Sequence, residues 1–286
     1  AICPTRGRPR RCSAKSATCS TKRTGLSLQL NFTEYGEDNS GVPLLILHGL
    51  FGAHRNWAGV ARALSQSRRI LALDLPNHGG SPWTDDCGYP AMSDAVAGFM
   101  AAQGIAAADI MGHSMGGKTA MTMALMRPEL VRRLIVVDIA PVPYDHSSTA
   151  EIDAMLAVPL AEVGSRGDAD ALLAAAIIEP GLRAFLLTNL GRGADGFEWR
   201  INLAGLKAQL ADLHGFPIAP GACAYDGPTL FIAGALSKYI RPEHGPALDR
   251  FFPAHSTQVI DGAGHWVHAD DPAALLQVAE RFLDRP

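Results

Sequence analysis

Apolar positions fall in short runs separated by longer amphipathic stretches. The runs are Val42–His48, Arg69–Asp74, Ile110–Gly112, Leu134–Asp138, Thr229–Ala233 and Thr257–Ile260. Each is too short for a helix and apolar at successive positions, which predicts strands buried on both faces, as in a parallel sheet. Helical spacing fills the intervals. His54–Gln66 carries Trp57, Val60, Ala61 and Leu64 on one side, and Ser93–Gln103 and Gly116–Met126 follow, the latter ended by Pro128. Pro272–Leu283 opens with proline in its first turn and aligns Leu275, Leu276, Ala279 and Leu283. Strand and helix in alternation predict an α/β fold with a mostly parallel, doubly wound sheet and right-handed crossovers.

One interval breaks the rhythm. The roughly ninety residues between Asp138 and Thr229 offer no convincing strand, only helical stretches such as Ala150–Ala157, Ala169–Ile178 and Leu203–Leu213. Structureless loops of that length are rare in a folded domain, so the interval reads as a helical insertion after the strand ending at Asp138. At that place it would lie over the crevice where α/β sheets bind ligands. The expected organisation is an α/β core of residues 26–140 and 227–286, with a helical cap at 141–226.

Composition narrows the class. The chain has 286 residues, 48% of them hydrophobic and 19% charged, which is globular and rules out collagen-like and wholly disordered readings. No run of 18 apolar residues exists, so no membrane-spanning helix is expected. The formal net charge of −3 argues against general nucleic-acid binding. That charge is unevenly placed. Residues 1–25 hold seven basic residues and no acidic one, so the remainder carries −3 − 7 = −10. This leader also holds seven serines and threonines and lacks an apolar face, which is the composition of an organelle transit peptide, for a plastid or a mitochondrion. The plainer reading is a disordered basic tail on a cytoplasmic protein. Three of the five cysteines (Cys3, Cys12, Cys19) lie in the leader, and Cys87 and Cys223 are too few for a disulfide framework.

The chemistry gathers at three points. Gly112-His113-Ser114-Met115-Gly116 matches G-x-S-x-G between a predicted strand and a predicted helix, the setting of a nucleophile elbow. The flanking glycines allow the sharp turn that would expose Ser114 at the positive end of the helix. A serine hydroxyl needs a base, and His265, in the Gly262-Ala-Gly-His265 loop after the last strand, stands where the chain order serine, acid, histidine puts it. His268 lies three residues on, but no further ligand pattern accompanies the pair, so no metal is expected. His48-Gly49-Leu50-Phe51-Gly52 closes the first strand. A loop there supplies one oxyanion-hole N–H in this type of fold, Leu50 being the first choice and Phe51 the next, and Met115 supplies the other.

Taken with their surroundings, these residues resemble those of the α/β-hydrolases, and more narrowly the YbfF-like esterases, whose animal members are called abhydrolase domain-containing protein 11. The matching stretches are His48–Gly52 with Asn56-Trp57, Asp74 with Asn77-His78-Gly79 and Ser81-Pro82, Gly112–Ala120, Val137–Pro141 and Gly264–His268. Within the insertion, Leu187-Thr-Asn-Leu190 and Trp199-Arg-Ile-Asn-Leu203 belong to the same likeness, which spans residues 26–286. Pro76 departs from it, since relatives usually carry arginine before Asn-His-Gly. The resemblance implies a serine hydrolase of carboxylic esters or acyl-thioesters, acyl-CoA included, needing no cofactor.

The acid of a Ser–His–acid arrangement is less plainly marked. In much of this fold it follows the next-to-last strand, but Gly234–Ile240 holds no carboxylate, and Ser237 stands about where one is expected. Glu243 comes too late. Asp138, ending the strand beside the nucleophile strand, is the choice, and the Val-Asp-Ile-Ala-Pro likeness agrees. Asp261 is the competitor. Lys118, in the first turn after Ser114, opposes the helix dipole and is expected to sit in a structural ion pair. An apolar acyl pocket is expected from the Ala-, Leu- and Ile-rich insertion. Other readings keep the same triad: carbon–carbon bond hydrolysis, acyl transfer, or a catalytically silent binding protein. Aspartate-nucleophile relatives such as epoxide hydrolases are disfavoured by serine at 114.

Overall fold

The computed structural model describes residues 28–145, 147–194, 196–219 and 221–285, so the leader 1–25 lies outside the described residues. Nine strands are described: β1 Phe32–Tyr35, β2 Leu44–Leu47, β3 Ile70–Leu73, β4 Ala108–His113, β5 Val131–Val137, β6 Leu190–Gly193, β7 Gly196–Trp199, β8 Thr229–Gly234 and β9 His255–Ile260. Seven form one sheet in the order β1-β3-β2-β4-β5-β8-β9. All its neighbours are parallel except β1, which pairs antiparallel with β3.

Strands β2, β3, β4 and β8 are buried at every position. Their alternate side chains feed two apolar layers. Leu45, Leu47, Leu71, Leu73, Ile110 and Val136 face one layer, and Leu44, Ile46, Ile70, Met111 and Val137 face the other. The second layer is closed by Ala58–Leu64, through Val60, Ala61 and Leu64, and by Pro272–Leu283, through Leu275, Ala279 and Phe282. The first is closed by Tyr89–Ala102, Met115–Met126 and Gly245–Phe251. Five of the six apolar runs are therefore central strands of a doubly wound sheet; the sixth, Thr257–Ile260, lies in the edge strand β9 and is exposed from Thr257 to Val259, so the expected burial on both faces fails there. The edge strand β1, Phe-Thr-Glu-Tyr, is only half-buried and has no such run, so the pattern did not announce it.

Residues 141–226 carry the helices Thr149–Leu156, Arg166–Leu173, Pro180–Leu187, Leu203–Ala208 and Leu210–His214. The expectation of no strand in this interval was wrong. Strands β6 and β7 form an antiparallel hairpin with Gly193 opposite Gly196. With two glycines and an arginine in its first arm, this hairpin has little β-propensity, and cross-strand pairing supplies what local preference lacks. The insertion's buried residues, among them Leu186, Leu203 and Leu210, are continuous with the first apolar layer. Polar ties add direction: the Tyr89 hydroxyl donates to the Leu213 carbonyl, the Arg55 guanidinium to the Thr188 carbonyl at 2.7 Å, and the Asn202 amide to Asn77 Oδ1 at 3.0 Å.

Candidate active site

Ser114 follows β4 directly with φ 50° and ψ −116°, and its N–H donates to the Val137 carbonyl at 3.1 Å. The turn is possible because glycine surrounds it. A Cβ at Gly112 would fall 2.2 Å from the Gly116 carbonyl oxygen, and one at Gly116 would fall 2.4 Å from the Leu47 carbonyl oxygen. Strand, helix and the neighbouring strand end thus approach closer than any side chain permits.

The expected partners of Ser114 converge on it. Its Oγ lies 3.0 Å from His265 Nε2, and His265 Nδ1 lies 2.7 Å from Asp138 Oδ2. An ionised carboxylate only accepts, so Nδ1 carries the proton and Nε2 is left to accept from the serine. Asp138 is fully buried directly after β5 and takes two further donors, the Gly234 N–H at 3.0 Å and the Ser237 hydroxyl. Ser237, at the position where an acid was sought, thus donates to the acid one strand away. Of the competitors, Asp261 is exposed in a turn, and Glu243 is exposed and paired with Arg241. Tyr239 stacks on the His265 ring at 3.9 Å, and His113 Nε2–H donates to the His265 carbonyl at 2.9 Å. His113 is in turn wedged by His268, which stacks on Trp57 at 4.2 Å. Burial holds the His113 imidazole well below its ordinary range and lowers His268 to about 4, so both rings are neutral at physiological pH, His113 as a hydrogen-bond donor and His268 as a packing surface. These supports were missed in the sequence; only the His-Trp-Val-His likeness hinted at His268.

The Gly49–Gly52 loop lies against the elbow, a Cβ at Gly49 falling 3.2 Å from Ser114 Cβ. The Gly52 N–H donates to the Gly49 carbonyl at 2.9 Å, and Phe51 holds φ 63°. Among the described residues, nothing accepts a hydrogen bond from the N–H groups of Leu50, Phe51 or Met115. Positive φ outside glycine is confined to Phe51, Asn77, Ser114 and Asp138 among the described residues, all following carboxyl ends of strands.

A cavity of about 250 Å³ opens beside Ser114. Leu50, Met115 and Ile139 line it from the sheet side, Leu182, Phe185 and Leu213 from the insertion. Lys118 also lines it, and here the expected ion pair is corrected. No carboxylate meets this ammonium among the described residues. It donates to the His214 carbonyl at 2.9 Å and the Gly215 carbonyl at 2.5 Å, at the carboxyl end of Leu210–His214, and lies 4.8 Å from the Tyr144 ring centroid. The helix's last carbonyls carry partial negative charge, so they replace the carboxylate. Burial lowers the Lys118 ammonium to about 7.

Asp74, directly after β3, ties three loops together. It accepts from the His54 N–H at 2.7 Å, the His54 ring at 2.9 Å, Asn31 at 2.7 Å and the Gly80 N–H at 2.9 Å. Burial raises its pKa, but these donors outweigh burial and hold the carboxyl well below its usual range. A Cβ at Gly79 would meet Asp74 Oδ2 at 2.1 Å, which explains the Asn-His-Gly motif.

A hydroxyl, an imidazole and a carboxylate joined at the carboxyl edge of a doubly wound sheet is the arrangement of serine hydrolases of the α/β type. The chain belongs to the alpha/beta hydrolase fold family, whose model matches residues 42–175 and 184–272. It is 39% identical to mouse (Mus musculus) sn-1-specific diacylglycerol lipase ABHD11, over 96% of this chain and 94% of that one. It is 36% identical to Escherichia coli (strain K12) esterase YbfF, over 91% of this chain and 99% of that one. Among solved structures, a marine microorganism esterase superposes with a TM-score of 0.85 at 36% identity, covering 90% of this chain and all of the other. The resemblance read from the motifs is borne out, and the chain is an esterase-type hydrolase.

Proposed function

We propose that this ester hydrolase works through an acyl-enzyme on Ser114. His265 removes the hydroxyl proton as Oγ attacks the acyl carbonyl, then returns it to the leaving alcohol or thiol. Asp138 keeps the proton on Nδ1 and stabilises the imidazolium. The N–H groups of Leu50 and Met115, with Phe51 as the alternative to Leu50, receive the oxyanion. Water, activated by His265, releases the acid. No cofactor enters these steps. The observation that carries the reading is the continuous chain Ser114 Oγ–His265 Nε2–His265 Nδ1–Asp138 Oδ2 at 3.0 and 2.7 Å.

The substrate proposed is a small-molecule carboxylic ester or acyl-thioester, acyl-CoA included, with an apolar acyl part. The apolar walls of the 250 Å³ cavity support this, and residues 141–226 serve as the cap that shapes it. The mouse relative is named for acylglycerol esters, in keeping with such an acyl group. Residues 1–25 are proposed as an organelle-targeting leader, on their basic, serine-rich and acid-free composition. Three experiments test the reading. A fluorophosphonate probe should label the parent and not Ser114→Ala, and labelling of both would refute the serine mechanism. A panel of p-nitrophenyl esters and acyl-CoAs of graded length should give turnover. A leader–fluorescent protein fusion that stays cytosolic would overturn the targeting reading.

A further inference from the structure

Asn189 lies in the Leu187-Thr-Asn-Leu190 segment, between the helix Pro180–Leu187 and β6. Its side chain is fully buried. Nδ2 donates to the Phe51 carbonyl at 2.7 Å and to the Leu186 carbonyl at 3.2 Å. Its Oδ1 is buried with no hydrogen-bond partner among the described residues. Turning the amide over would not relieve this, because Oδ1 would then face two carbonyl oxygens. A leucine of similar size would fill the site without an orphaned acceptor. Packing therefore does not account for asparagine here, whereas its donor does.

That donor lands on the loop beside the nucleophile. Phe51 holds φ 63°, a conformation that a large side chain keeps only when its surroundings impose it. The peptide unit after Phe51 is fixed at both ends. Its N–H, on Gly52, donates to the Gly49 carbonyl at 2.9 Å, and its carbonyl accepts from Asn189 at 2.7 Å. With that unit pinned, the preceding N–H groups of Leu50 and Phe51 are left at the cavity wall without partners among the described residues. One residue before Asn189, the Thr188 carbonyl accepts from Arg55 at 2.7 Å, so the same segment is tied to the core a second time, away from the oxyanion loop.

We propose that Asn189 is a positioning residue for the oxyanion hole: an amide on the insertion that holds the Phe51 carbonyl and so aims the Leu50 and Phe51 N–H groups at the tetrahedral intermediate. The proposal rests on the serine mechanism above. It makes the insertion part of the rate-determining apparatus as well as a wall of the pocket.

The test compares Asn189→Asp, which keeps shape and loses the donor, with Asn189→Ser, which is smaller and serves where the aspartate variant does not fold. The readouts are kcat and KM on a p-nitrophenyl ester and the inhibition constant of an alkyl trifluoromethyl ketone, whose serine adduct carries an oxyanion. Loss of a direct oxyanion donor costs about 10²–10³-fold in rate, so loss of its positioning should lower kcat by about 10–100-fold. KM should stay within about threefold, and ketone affinity should fall in step with kcat. Arg55→Met cuts the neighbouring tie and should lower the melting temperature while leaving kcat and ketone affinity near those of the parent. The proposal is overturned if the Asn189 variants keep kcat within threefold, if only KM rises, if ketone affinity does not follow kcat, or if Arg55→Met reproduces the whole pattern. Failure of the underlying mechanism reads differently: Ser114→Ala would then keep its activity and the ketone would not inhibit the parent.

Discussion

Two supports meet over Ser114, and they are built differently. The Ser114–His265–Asp138 side belongs wholly to the sheet and its edge loops. Ser114 N–H bonds to the Val137 carbonyl, Asp138 N–H to the Ile232 carbonyl at 2.8 Å, and Gly234 N–H to Asp138 Oδ1, so Ser114 and Asp138 inherit their places from adjoining strands, while His265 is held by Asp138, His113 and Tyr239. The Gly49–Gly52 loop, the cavity beside Ser114 and Lys118 are shared with the insertion, and single side-chain bonds from distant parts of the chain fix the loop and the lysine. The sheet side is held by many cooperative backbone bonds and the other by a few directional ones. Changes on the sheet side should therefore stop the chemistry outright, while changes in the insertion should alter selectivity and, through positioning, lower the rate by smaller factors.

The hardest blow to the sheet side is Ser114→Ala. It should lower kcat by about 10⁶-fold with the fold intact, as read by ester turnover and circular dichroism. Retention of more than a tenth of the activity would end the serine reading. Asp138→Asn comes next, at about 10⁴-fold in kcat, because the amide imposes the wrong imidazole tautomer. Asp261→Asn, exposed and remote, should cost far less, and the opposite ranking would remove Asp138 from the triad.

The insertion side should yield smaller numbers. Lys118 titrates near 7 when folded, against an ordinary lysine value of 10.5. Between those pH values the unfolded chain holds the extra proton, so the lysine's burial penalty is greatest below pH 7 and fades as pH rises. Parent stability should gain about 2 kcal/mol between pH 7 and 9 relative to Lys118→Met, measured by urea unfolding. A flat difference would show that the ammonium stays charged throughout. Replacing residues 141–226 with the matching segment of a relative should shift acyl-length preference by about tenfold in kcat/KM per methylene at the boundary. The fluorophosphonate labelling rate should change less. Chain-length preference that stayed with the sheet would contradict this division of labour between sheet and insertion.

The same division governed what could be read in advance. Strands β2, β3, β4, β5 and β8 are announced by short apolar runs, from Leu-Leu-Ile-Leu in β2 to Ile-Met in β4, and the elbow by local glycine chemistry, because both signals sit within a few adjacent residues. Asp138 was reachable from its place at a strand end. The β6–β7 hairpin was not, since Leu-Gly-Arg-Gly becomes a strand only through its partner. Lys118 misled because its counter-charge comes from helix-end carbonyls, which sequence does not mark as anionic. The Asn189–Phe51 bond spans 138 residues, and no local pattern encodes such a contact. Ser237 stands where an acid is expected, and its hydroxyl donates to Asp138, the carboxylate proposed for that role.

The four left-handed residues carry a consequence for anyone trying to toughen this enzyme. Phe51, Asn77, Ser114 and Asp138 hold backbone shapes that glycine would adopt with less strain, of order 1–3 kcal/mol at each position. Against a typical total stability of about 5–15 kcal/mol, that is a large reserve. Yet it lies along the rim where the proposed mechanism requires the Ser114 and Asp138 side chains and the proposed oxyanion hole requires the Phe51 angle. Heat resistance should therefore be engineered elsewhere, in the helices of residues 149–173 and their connecting loops. The rim itself marks where durability and catalytic speed trade against each other.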